Sequence, residues 1–160
     1  MEREVDRVHH VVWCVHGENL ERVRAYWEGA LGLSMVDIDL PERGLHVLLA
    51  WDAGIEVVAP TAAGGAGADA VRAVLAERGE GVYAIVYNVA SIDEARPRLE
   101  REGAELVFEE TVPPEVVRQR GIVGADQPSF TIRQAQFRDA FGMGLCLQEL
   151  TEETTAAPAA

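Results

Sequence analysis

The chain has 160 residues, 48% of them hydrophobic, with 27 acidic against 14 basic side chains and a formal charge of −13. That balance repels nucleic acid and anionic membrane surfaces, and no apolar run approaches the ~20 residues of a membrane-spanning helix. All the bases are arginine, which excludes Schiff-base chemistry and a lysine general base.

At this length one compact domain is expected, able to bury roughly 70% of its unfolded surface. The start Met1-Glu2-Arg3-Glu4 lacks the apolar core of a signal peptide, so a cytoplasmic location is the expectation. Cys14 and Cys146 are far apart with no CxxC spacing and read as reduced, buried thiols.

Residues 9–15 form a first predicted strand. Leu20, Val23, Trp27 and Leu31 then recur at helical spacing, and Gly32 suits the C-terminal cap. Residues 34–40 alternate apolar and acidic as a second strand, and residues 45–51 and 55–59 pair as a hairpin around Asp52-Ala53-Gly54. Residues 60–68 are a small-residue linker. Asp69 is expected to cap a short helix over 70–78, stopped by Gly79. Residues 82–89 begin a second round. Ser91 caps a helix through Glu102 with Pro97 inside it, and 105–109 is a strand. Pro113-Pro114 opens a long connection to Pro128, read as a lid or an excursion over a pocket. Residues 130–137 and 145–150 close the round, and 151–160, without apolar periodicity, is expected to fray.

The order β-α-β-β-β therefore occurs twice: a first module at 8–60, a linker with a short helix at 61–80, a second module at 81–150 and a tail at 151–160, all one domain over 1–160. Four stretches carry a family resemblance: Val8-His9-His10-Val11; Tyr26-Trp27-Glu28-Gly29-Ala30-Leu31-Gly32-Leu33; Glu77-Arg78-Gly79-Glu80-Gly81-Val82; and Phe137-Arg138-Asp139-Ala140-Phe141-Gly142. In this order they resemble the vicinal oxygen chelate superfamily of glyoxalases, bleomycin resistance proteins and extradiol dioxygenases. The pattern is nearest to methylmalonyl-CoA epimerase-like members. The resemblance implies an α+β fold in which paired βαβββ modules make a curved, open, barrel-like mixed sheet around a central cavity, helices outside. It also implies a homodimer and a divalent metal held by ligands from the first and last strands of each module.

Carried over residue by residue, His10 matches the first-module histidine and Glu56 the first-module carboxylate. The second module departs from the pattern: Ala84 stands at the expected histidine and Cys146 at the expected carboxylate. A methyl group cannot ligate, and two protein ligands make a poor catalytic site. Cys146 as a thiolate, or Gln134, Gln136 or His46, are the available replacements, so one divalent ion of unknown identity stays open as cofactor. By strand alternation His10, Val12 and Cys14 share a face while His9 and Trp13 point away, and Tyr83 points away from Ala84. The expected pocket wall comprises Val12, Cys14, Ala84, Val86, Gln136, Cys146 and Gln148.

Glu56 within Ile-Glu-Val-Val is telling, since a carboxylate on a core-facing strand needs a partner, a metal or a raised pKa. The plainer readings are a satisfied barrel histidine at His10 and a solvent-facing Glu56. His9 and His16 read as surface or structural, the cysteines as small fillers, Asp37 and Asp39 as a solvated strand face, and Arg118 and Arg120 as surface arginines able to clamp an anion. Two functions follow. One is an isomerase-, epimerase- or lyase-type enzyme on a carbonyl or acyl-thioester compound, with Glu56 and His10 catalytic or metal-binding. The other is a metal-free protein that sequesters a small molecule in an apolar cavity.

Overall fold

The computed structural model describes residues 6–124, 126–138, 141–142 and 144–152. The first five residues, Asp139 and Ala140 of the turn before the last strand, and 153–160 of the expected tail lie outside the described residues. The element order is β1 (Arg7–Cys14), α1 (Leu20–Leu31), β2 (Val36–Leu40), β3 (Leu45–Ala50), β4 (Ile55–Pro60), α2 (Ala66–Arg78), β5 (Gly81–Asn88), α3 (Ile92–Arg101), β6 (Glu105–Val112), α4 (Pro114–Gln119), β7 (Phe130–Arg138) and β8 (Gly144–Glu152).

The eight strands form one mixed sheet in the order β2-β3-β4-β1-β5-β8-β7-β6, curled into a half-barrel. Each module contributes four adjacent strands, and the two quartets meet along β1 and β5, antiparallel within the one chain. Within each module the first and last strands run parallel: Val12 lies opposite Glu56, and Val86 opposite Cys146. His10 pairs with Val86 and Val12 with Ala84. The register thus makes Ala84 the counterpart of His10, and Cys146 the counterpart of Glu56.

Local sequence explains most boundaries. Gly32 takes the left-handed conformation that ends α1, φ 66°. The Ser91 hydroxyl accepts a hydrogen bond from the Glu94 amide at the start of α3. Two boundaries differ from expectation for tertiary reasons. Helix α2 starts at Ala66, capped from Gly65 and not from Asp69. Its first turn docks on the β2–β3 turn, where the Ala68 amide donates to the Arg43 carbonyl at 2.9 Å. The connection after Pro113 contains α4 rather than a bare excursion. Val117 is fully buried with Val112, Val123, Phe130 and Ile132, and Ser129 Oγ donates to the Pro114 carbonyl at 2.9 Å. Strand β8 also runs on through Thr151 and Glu152.

The β1–β5 pairing carries two bulges related by the repeat. Val8 pairs with Tyr87 and His10 with Val86, which leaves His9 as an extra residue on β1. Val12 pairs with Ala84 and Trp13 with Val82, which leaves Tyr83 as an extra residue on β5. Behind each bulge stands a glycine. A Cβ on Gly54 would lie 2.9 Å from the His9 carbonyl oxygen, and one on Gly144 would lie 2.6 Å from that of Tyr83.

Candidate active site

The half-barrel encloses a cavity of about 260 Å³. Its wall is mostly apolar, from Val12, Ile38, Val47, Leu49, Val58, Val86 and Ile132, and its polar groups are His10, Glu56, Tyr83, Gln134, Gln136, Glu110, Arg43 and Arg120. Of the pocket residues expected from sequence, Val12, Ala84, Val86, Gln136 and Cys146 line this cavity; Cys14 and Gln148 do not. Cys14 is wholly buried in the core cluster. Gln148 is wholly buried too, donating to Asn88 Oδ1 at 3.0 Å and accepting from Gln134 Nε2 at 2.9 Å.

β1 and β4 bring His10 and Glu56 together. His10 is 2% exposed, and its Nε2 lies 3.0 Å from Glu56 Oε2. This contact satisfies a carboxylate that would otherwise be costly among apolar strands. His46 lies outside the cavity, bonded to Asp37 and 3.9 Å from Asp39, so it cannot complete a site there. Asp37 is also held by Arg24, as befits an exposed strand face.

Strand alternation misplaced two residues because it assumes an unbroken pleat. The bulge at His9 sets its ring against His10, Nδ1 to Nδ1 at 2.7 Å, and against Trp51, centroids 4.4 Å apart. Burial, the largest cause, lowers the His9 pKa to about 4 and holds the ring neutral. The matching bulge puts Tyr83 in the cavity wall, where its hydroxyl accepts from Gln136 Nε2 at 3.2 Å. Burial raises the Tyr83 pKa, keeping the phenol protonated.

Arg43, Glu110 and Phe108 carried no sequence signal at all. Arg43 bonds Glu110 Oε2 at 2.6 Å and lies 4.2 Å over the Phe108 ring. Burial pushes the Glu110 carboxyl up, outweighing the pull of Arg43 and Arg120. Arg120 also reaches Glu42, at 3.8 Å. These pairs join the β2–β3 turn of the first module to β6 and α4 of the second, across the open side of the half-barrel.

Residues 9–120 match the glyoxalase/bleomycin resistance protein/dioxygenase superfamily. The chain belongs to that superfamily. No curated protein sequence matches it. Among solved structures it is similar to a hypothetical protein of Bacillus halodurans C-125 (TM-score 0.62, 23% identity, 92% of this chain and 96% of that one). It is also similar to methylmalonyl-CoA epimerase from Mycobacterium tuberculosis (TM-score 0.62, 21% identity, 98% and 97%). A methylmalonyl-CoA epimerase in complex with methylmalonyl-CoA and ammonium gives a TM-score of 0.61 at 19% identity, covering 91% and 95%. At these identities the likeness concerns the fold.

Superfamily members often hold a divalent metal, and the residues of this chain do not fit the expected four-ligand centre. Among the described residues no three of His, Cys, Asp or Glu converge as ligands. Ala84 offers no donor. The Cys146 thiol is pushed far up by burial, with Glu56 and Glu110 adding to the effect, and it contacts the Leu147 carbonyl at 3.6 Å. His10 is already engaged with Glu56.

Proposed function

We propose that this superfamily member is a cytoplasmic, homodimeric enzyme of the isomerase, epimerase or lyase type. It would move a proton at the carbon beside a carbonyl or acyl-thioester group, without the usual metal centre. The observation that carries the reading is the pair of buried His10 and half-buried Glu56 facing a largely apolar cavity, with the protonated phenol of Tyr83 and the amide of Gln136 in the same wall.

In this mechanism Glu56 is the base and takes the α-proton. The electron pair of the broken C–H bond passes to the carbonyl oxygen, which becomes an enolate. Tyr83, whose oxygen accepts from Gln136, has its own O–H to donate to that oxygen, as a preorganised donor in a largely apolar cavity. Return of the proton to the opposite face of the same carbon gives epimerisation; expulsion of a β-substituent gives elimination. Glu110, the other carboxylate of the wall, is held toward its protonated form by burial and is suited to act as the returning acid.

The test is α-proton exchange in D2O, followed by NMR, with methylmalonyl-CoA and other 2-substituted acyl thioesters, in the presence of chelator. Wild type should exchange, Glu56→Gln should lose on the order of 10³-fold, and Tyr83→Phe about 10²-fold. Exchange that survives in Glu56→Gln overturns the assignment. A second reading, sequestration of an apolar small molecule, is favoured by the largely aliphatic wall. It predicts saturable binding with no exchange by either protein.

A further inference from the structure

We propose that His9 is a positioning residue: its Nδ1–H donates to His10 Nδ1 and thereby holds His10 with its Nε2–H directed at Glu56. This rests on the reading of Glu56 as base. Two imidazole nitrogens 2.7 Å apart share one proton between them, one donor and one acceptor. The far nitrogen of His10 faces a carboxylate oxygen at 3.0 Å, and an ionised carboxylate only accepts, so that proton sits on Nε2. In the proposed tautomer His10 carries its proton on Nε2 and presents a lone pair at Nδ1, to which His9 donates.

The fold prepares the contact. His9 is the extra residue of the β1 bulge, and a bulge re-aims a side chain that alternation would send the other way. Trp51 packs its ring at 4.4 Å, and Gly54 leaves room beside its carbonyl. The consequence concerns the superfamily's metal. Both nitrogens of His10 are occupied, so the histidine retained at the ligand position has no lone pair to give. The chain His9–His10–Glu56 instead orients a carboxylate, a common role for a second hydrogen-bond partner of a functional histidine.

The experiment uses full-length protein with 15N-labelled histidine, without substrate. The expected spectrum shows His10 protonated at Nε2 and an N–N coupling across the hydrogen bond between the two Nδ1 atoms. His9→Phe keeps a ring against Trp51 and should lose that coupling. It should lower turnover about tenfold with KM unchanged, less than the 10²–10⁴ of a group that itself carries the proton. His9→Asn, with an amide N–H at the δ position, should restore much of the turnover. A His10 protonated at Nδ1 with its lone pair at Nε2, or His10 signals unchanged in His9→Phe, overturns the proposal. If His9→Phe exchanges at the wild-type rate while Glu56→Gln is dead, positioning fails and the base survives. If Glu56→Gln remains active, the base assignment fails, while the spectrum still decides the hydrogen bond.

Discussion

At the scale of single residues, the second module has cavity wall where the family resemblance implies metal ligands. Ala84 and Cys146 are 3% and 4% exposed and are the second-module counterparts of His10 and Glu56. Restoring donors tests that equivalence. The double variant Ala84→His/Cys146→Glu should bind zinc or cobalt on the order of 100-fold more tightly than wild type, read by metal analysis after dialysis. The thiols give a second check. Burial raises the pKa of both Cys14 and Cys146, so neither should react with a thiol reagent in the native protein at mildly alkaline pH, and both should react after unfolding. Fast labelling of Cys146 in the folded state would contradict the burial described.

At the scale of elements, the paired bulges are the device that matters. Each pushes a carbonyl toward the neighbouring parallel strand, and each is accommodated by a glycine two residues before the site position: Gly54 before Glu56, and Gly144 before Cys146. Gly144→Ala places a methyl 2.6 Å from a backbone oxygen, which cannot move without disturbing the ladder. A loss of about 1–3 kcal/mol is expected in urea unfolding, accompanied by displacement of Tyr83 from the cavity. Ser91→Ala, at an ordinary helix cap, should cost about 1 kcal/mol and leave the site untouched.

At the scale of the whole molecule, the curled sheet brings its two edge regions together, and the Arg43–Glu110 and Arg120–Glu42 pairs bridge them. Glu110 makes this bridge sensitive to pH. Its folded pKa lies above its ordinary 4.5, so the folded state binds the proton more tightly than the unfolded chain. That contribution to stability is full below about pH 4.5 and is lost as pH rises through the folded value. Glu110→Gln cannot lose a proton. Its stability relative to wild type should therefore increase across that interval, as measured by urea melts between about pH 4 and about pH 8. A constant difference between the two proteins would place Glu110 in solvent.

Much of this protein is determined by local sequence. The doubled β-α-β-β-β order and the caps at Gly32 and Ser91 follow from periodicity and turn chemistry, which are properties of neighbours along the chain, and the contrast between His10/Glu56 and Ala84/Cys146 is legible once the family resemblance marks those positions. Tertiary structure decided the rest. Neither bulge changes the period of its own strand until β1 and β5 pair, so Tyr83 reads as facing away when it lines the cavity, and His9 reads as facing away when its ring meets His10 and Trp51. Arg43 and Glu110 are 67 positions apart and meet only because the sheet curls. Helix α2 starts early because its first turn finds a carbonyl on another turn, a partner no local propensity can supply.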